Sequence, residues 1–262
     1  MFKREISDEE IKFNNERILS SISLVNRPEI NVEPNVKKTE EIKKDKLNTR
    51  EIALLWDVFL RPYVPTTKRY ETIDIQGKNI SPAVGTREVT KLMRHRLMTK
   101  HKINVTGERG GTAKFLDLTK EAYNILGVEP KKGISIGAGF EHCFWAHKLS
   151  NDLGTKSYIK TVAVEAMLNN NKSVDILVET DNERIAVEIE MTPVNACSNI
   201  EKDLNNDATF VFTACRDRDV LKQVKEALNS FTNQIRKKVH LCLVQKLVPE
   251  FDRIMTSREE KK

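Results

Sequence analysis

From Gly139 onward the apolar positions change their period in a definite order. In GFEHCFWAHKLSNDLG, residues Phe140, Phe144, Ala146, His147 and Leu149 recur at helical spacing. Three β-prone runs follow, YIKTVAVEAML, SVDILVET and ERIAVEIEM, separated by polar turns, and ACSNIEKDLNN returns to a helical pattern. A further strand is predicted over Ala208 to Cys215, a helix over Val220 to Lys237 and a last strand over Val239 to Leu247. An open sheet with helices packed over it satisfies these apolar faces.

The first half patterns differently. Ile52, Leu55, Trp56, Phe59 and Leu60 predict a buried helix that Pro62 and Pro65 stop, and YETIDIQGKNI reads as a hairpin or an irregular connection. A helix is expected from Thr86 or Arg87 to Lys100, with Val89, Leu92, Met93 and Leu97 inward and Arg87, Lys91, Arg94 and Lys100 outward. Two short β-prone runs then flank the glycine-rich turn from Gly107 to Gly111, and Thr119 is placed to cap a closing helix. Before Thr49 the chain is mostly polar. There, Glu9 to Ile22 fits one amphipathic helix on an arm that binds a partner or packs onto the first domain.

Charge sharpens this picture. Between Arg87 and Lys120 nine basic residues stand against three acidic ones, an excess equal to the net charge of +6 of the whole chain. Such a local excess suits a phosphate backbone, because neutralised phosphates release their counterions. The candidate DNA-binding residues are Arg87, Lys91, Arg94, Lys100, Lys102, Arg109 and Lys114. Helix, basic helix, β-wing and closing helix resemble a winged helix-turn-helix domain. Leu118, Thr119 and Leu126 fit the ending of many such domains, with Ala122 where that pattern has glycine.

The carboxylates of the second half add chemistry. Glu188 and Glu190 lie two apart on one strand and share a face, while Val187, Ile189 and Met191 face the other way. Asp175 sits inside the preceding strand, and Glu141 begins the helix before it. Carboxylates grouped at low dielectric repel one another unless a cation or protons compensate them.

The order of elements and these acids resemble the PD-(D/E)XK, or restriction-endonuclease-like, nuclease superfamily. The resemblance maps Asp175 onto the aspartate of the second strand, Glu188 onto the acid of the third-strand motif and Glu141 onto the first-helix glutamate. The motif lysine is replaced by Glu190. Asn199 and Lys202 on the following helix resemble the displaced set of some branches. The resemblance implies Mg²⁺ or Mn²⁺ held by Asp175, Glu188 and the Ile189 carbonyl, with Glu141 and Glu190 assisting and Lys202 and Asn199 acting on water or charge. His142 and His147 are five apart and form no tight metal pair, and Cys143, Cys197, Cys215 and Cys242 lack the paired spacing of a zinc site.

The expected class is therefore α/β, an N-terminal winged helix domain followed by a restriction-endonuclease-like α/β/α domain. The divisions are an arm over 1–48, the winged domain over 49–132 and the nuclease-like domain over 133–262. This combination resembles plasmid or mobile-element replication and relaxation proteins. The expected function is DNA binding with metal-dependent cleavage or nicking; the alternative is an inactive nuclease-like scaffold in a DNA-binding factor. Double-stranded DNA, a second copy of the chain and other replication or mobile-element proteins are the expected partners. No apolar run is long enough to span a bilayer, and the expected location is cytoplasmic.

Overall fold

The computed structural model describes residues 47–75, 78–106, 111–130, 139–168 and 172–259, a mixed α/β arrangement of helices and three sheets. The expected helix from Glu9 to Ile22 and the turn carrying Arg109 lie outside the described residues. No helix among the described residues is long and apolar enough to cross a membrane.

Helix α1, Thr49–Leu60, starts at a reciprocal cap: Asn48 Oδ1 accepts from Glu51 N at 3.0 Å, and Glu51 Oε2 accepts from Asn48 N at 2.8 Å. The prolines do not leave the next stretch irregular: Pro65 stands at the N-cap position of a short helix α2, Thr66–Thr72, without a side-chain cap. From α2, fully buried Arg69 pairs with Asp57 of α1 and donates to the carbonyls of Arg61, at 2.6 Å, and Val64, at 3.2 Å. That one guanidinium ties down the 61–64 turn. The two-residue strands β1, Asp74–Ile75, and β2, Lys78–Asn79, then pair antiparallel.

Helix α3 spans Pro82–Arg94, not Thr86 or Arg87 to Lys100. It begins earlier because Ser81 caps it and Pro82 occupies the first turn, where no N–H is needed. It ends earlier because Arg96 adopts φ 57° while Arg96 N donates to Met93 O at 3.0 Å and Leu97 N to Leu92 O at 2.9 Å. This left-handed stop usually carries glycine, and with arginine there the sequence pattern runs through it. Lys100 therefore belongs to a strand. At Gly85, an added Cβ would lie 2.5 Å from the Tyr70 ring, so the glycine sets how closely α2 and α3 approach.

Strands β3, Met98–Asn104, and β4, Thr112–Leu118, form an antiparallel hairpin, followed by α4, Lys120–Leu126, capped by Thr119. Its two faces serve different cores. Met98, Leu116 and Leu118 pack with Leu54, Leu55, Val89 and Leu92. On the other face Ile103 and Phe115 join Phe140 and Phe144, and His101 stacks on Phe140 with centroids 4.3 Å apart. The hairpin thus lines both cores at once.

The second half follows the predicted order of helix, three strands, helix and strand. Helix α5, Phe140–Gly154, precedes β5, Thr161–Met167, β6, Ser173–Glu179, and β7, Arg184–Glu190; α6, Ala196–Leu204, leads to β8, Phe210–Cys215. With a last strand β9, Val239–Leu243, the five-stranded sheet runs β5-β6-β7-β8-β9, antiparallel as far as β7 and parallel beyond it. The helix expected over Val220 to Lys237 is broken: α7 covers Arg218–Ala227, and Thr232 caps a separate turn α8, Asn233–Arg236. Strand β9 is shorter than the expected run to Leu247. There a last helix begins, α9, Leu247–Glu259, which the sequence reading did not place. Pro249 falls in its first turn and so does not break it; Phe251 stacks on Phe212 at 4.8 Å.

Candidate active site

Strand β7 is paired on both sides, by β6 and β8, so its side chains are buried in two layers. Ile185, Val187 and Ile189 enter the core beneath α5 and α9, while Ala186 faces the cluster containing Ile200 of α6. Glu188 and Glu190 keep the parity of Ala186 and meet α6. The Lys202 ammonium donates to Glu188 Oε1 at 2.8 Å and to the Ser173 carbonyl at 2.6 Å. Asn199 Nδ2 donates to Glu190 Oε1 at 2.9 Å. Helix α6 thus brings an amide and an ammonium, three residues apart, onto two acids that are two apart on a strand.

Asp175 completes the group from β6. The paired ladder ends at Ile176 opposite Val187, so Asp175 is the next residue out, level with Glu188. Asp175 Oδ2 accepts from Ile189 N at 2.7 Å and pairs with His142 Nε2 at 3.1 Å. Ile189, expected to lend its carbonyl, meets Asp175 through its N–H. Glu141 lies in the first turn of α5, and its carboxylate makes no hydrogen bond or ion pair with another described residue; the next residue, His142, is the one that reaches Asp175.

Electrostatics follow from burial. Glu188 is only 3% exposed, and burial pushes its carboxyl upward, with Asp175 and Asp203 adding to the rise and Lys202 opposing it. Burial likewise raises Glu190, against the Asn199 amide. The hydrogen bond to Asp175, aided by Cys143, lifts the His142 imidazole to about 10 despite its desolvation. Its folded value is raised above the unfolded one of ~6.5, so its stabilising contribution is complete below that pH and is lost as pH climbs towards 10. His142 is accordingly expected to stay protonated between pH 6 and 8, with imidazole ¹⁵N shifts constant across that window. Titration near the ordinary imidazole value would show that the Asp175 contact does not hold in solution.

Two features of the site were not read from the sequence. Asp203 is buried on α6 in the same stripe as Ala196 and Ile200. An acid at the i, i+4, i+7 spacing of a buried face was the available signal. The other is a cleft of about 720 Å³ bounded by the 60–64 turn, α5 and β5, with Tyr63, His142, His147, Lys148, Glu165 and Asp175 on its wall. Glu165 has φ 50° and interrupts the pairing of β5 with β6 between Val164↔Ile176 and Ala166↔Val174. Positive φ is uncommon outside glycine, and here it leaves Glu165 and Asp175 as the one unpaired rung within that ladder.

The oxygen donors of Asp175 and Glu188 suit a hard divalent cation. Among the described residues no group of three or more His, Cys, Asp or Glu is gathered to hold a metal. A magnesium-type ion needs no such cage, since one or two carboxylates, waters and substrate oxygens complete its shell. Asp175 and Glu188 therefore fit it in kind, provided Glu188 turns from Lys202. No protein-family model matches the chain, and no curated protein matches it.

The basic residues divide in two. Arg87 and Lys91 close on buried Glu88, both at 3.1 Å, and so have structural work on α3, whose last turn holds Arg94. Lys100, Lys102 and Lys114 are exposed on one face of the hairpin, with Lys102 directly opposite Lys114. Directly opposed like charges destabilise a ladder, and a bound polyanion would relieve that repulsion.

Proposed function

We propose that the chain is a DNA-binding protein, a winged helix joined to a restriction-endonuclease-like domain, that cleaves or nicks a phosphodiester with Mg²⁺ or Mn²⁺. The observation that carries this reading is the 2.8 Å contact of Lys202 with Glu188 beside Asp175, an acid, acid and displaced-lysine group assembled from β6, β7 and α6. Asp175 and Glu188 would hold the cation, which supplies an activated water and neutralises phosphate charge. Lys202 donates to the attacking water or to the developing negative charge, and Asn199 keeps Glu190 oriented beside them. The hairpin lysines bind the duplex backbone without reading bases.

A Mn²⁺ titration of the intact protein against linear, supercoiled, single-stranded and branched DNA tests the chemistry. Cleavage that appears with the metal and disappears with chelator is expected; none on any substrate would sink it. For binding, the Lys100, Lys102 and Lys114 triple alanine variant is expected to weaken duplex affinity and to flatten the salt dependence by roughly two to three ions. Filter binding over a salt series reads this, and an unchanged slope would move the DNA surface elsewhere.

A second reading, an inactive scaffold in a DNA-binding factor, also has an observation behind it. Lys202 is only 12% exposed and already satisfied by Glu188 and the Ser173 carbonyl, as a structural buried pair would be. Pairing of two copies belongs to either reading, and light scattering at high micromolar concentration decides it.

A further inference from the structure

Asp203 is the most deeply placed charged group in the site. Its side chain is 0% exposed, its Oδ1 lies 3.4 Å from the Lys202 ammonium, neither oxygen meets an N–H or hydroxyl donor in normal geometry, and burial raises its carboxyl beside that of Glu188, close enough to share a proton with it. Across from Glu188 on β8, the Thr213 hydroxyl is fully buried and likewise unpartnered. A carboxylate left this way is costly, and replacing it with an apolar residue would let the Ala196 and Ile200 stripe of α6 continue unbroken.

The arrangement around Lys202 supplies a reason for that cost. The ammonium has three donors and three oxygens near it: the Ser173 carbonyl, Glu188 and Asp203. Glu188 cannot serve a cation beside Asp175 and keep Lys202 with the same oxygen. When Glu188 turns, the ammonium retains one neutral acceptor on β6 and needs a second partner that does not move. Asp203 is next to Lys202 on the same helix and is walled in, so it stays in place whatever Glu188 does. We infer that Asp203 is a positioning residue, a standby counter-charge that keeps Lys202 at the site when Glu188 is given up to a metal.

Its purpose rests on the nuclease reading, but its geometry does not, and the test separates them. Lys202 acylation by an N-hydroxysuccinimide ester, followed by mass spectrometry, is measured in the wild-type protein, Glu188→Gln, Asp203→Asn and the double variant. Glu188→Gln imitates the turned carboxylate without any metal. Each single variant is expected within about twofold of the wild-type rate, and the double variant about tenfold faster, a non-additive result. A double variant no faster than Glu188→Gln would overturn the inference. If the double variant fails to fold, the milder metal-free pair Glu188→Gln with Asp203→Ser replaces it, with the same readout and the same two outcomes. Cleavage by Asp203→Asn should fall about tenfold in kcat with KM for DNA unchanged and the melting temperature retained. A merely structural residue would lower the melting temperature and spare kcat. Expected labelling in a protein that cleaves nothing would retire the nuclease reading and leave the positioning of Lys202 standing.

Discussion

Asp175→Asn is expected to reduce Mn²⁺-dependent cleavage by about 10²- to 10³-fold while leaving duplex affinity within about twofold. The amide keeps an acceptor for Ile189 N and for His142, so the fold is preserved, although the charge assistance to the His142 contact goes with the metal-holding charge. Duplex affinity is spared because the hairpin lysines lie on β3 and β4, apart from the sheet that carries Asp175. Single-turnover cleavage and filter binding on one preparation separate the two quantities. A variant that retains most of its cleavage would remove Asp175 from the chemistry.

Asp57→Ala is expected to cost about 3–5 kcal/mol of stability, the largest structural effect in the first half. Arg69 is fully buried and its ion-pair partner is Asp57; without it the guanidinium is a stranded charge between α1 and α2. Arg61 loses the same partner. Urea unfolding measures the cost. A change below about 1 kcal/mol would mean that the Arg61 and Val64 carbonyls suffice to hold Arg69. The turn from Leu60 to Val64 lines the cleft next to Asp175, so a partial loss should also show there as faster alkylation of Cys143.

The sheet half was legible because its periods are clean. Strands β6, β7 and β8 are nearly continuous apolar runs bounded by polar turns, and α6 carries its apolar positions at i and i+4. What failed were the boundaries that tertiary contacts or non-glycine backbone geometry decide. Arg96 stops α3 in a conformation that sequence rules assign to glycine. Helix α9 was hidden because Pro249 reads as a breaker unless its place in the first turn is known. Helix α2 follows two prolines and is held by Arg69, whose partner lies twelve residues away.

The site divides the same way. Glu188 and Glu190 were readable from strand parity, whereas Asn199 and Lys202 were singled out only by the family resemblance, and it is the pitch of α6 that sets them on those two acids. His142 and Glu141 are neighbours on α5, and only the helix's rotation against β6 chooses His142 for Asp175. Asp203 was missed because its step with Ala196 and Ile200, though present in the sequence, was not followed to the acid, which its burial makes plain.

The hairpin of β3 and β4 has a consequence for how the molecule comes apart. Because Met98 and Leu116 face one core while Ile103 and Phe115 face the other, neither half owns it. Cutting the chain between Pro130 and Gly139 would strip Phe140 from His101 and wet the Ile103 and Phe115 side of the first fragment, while the second would lose the lid over Phe144. The two halves are separate along the sequence but should melt as one cooperative unit, since the wall between them is common property.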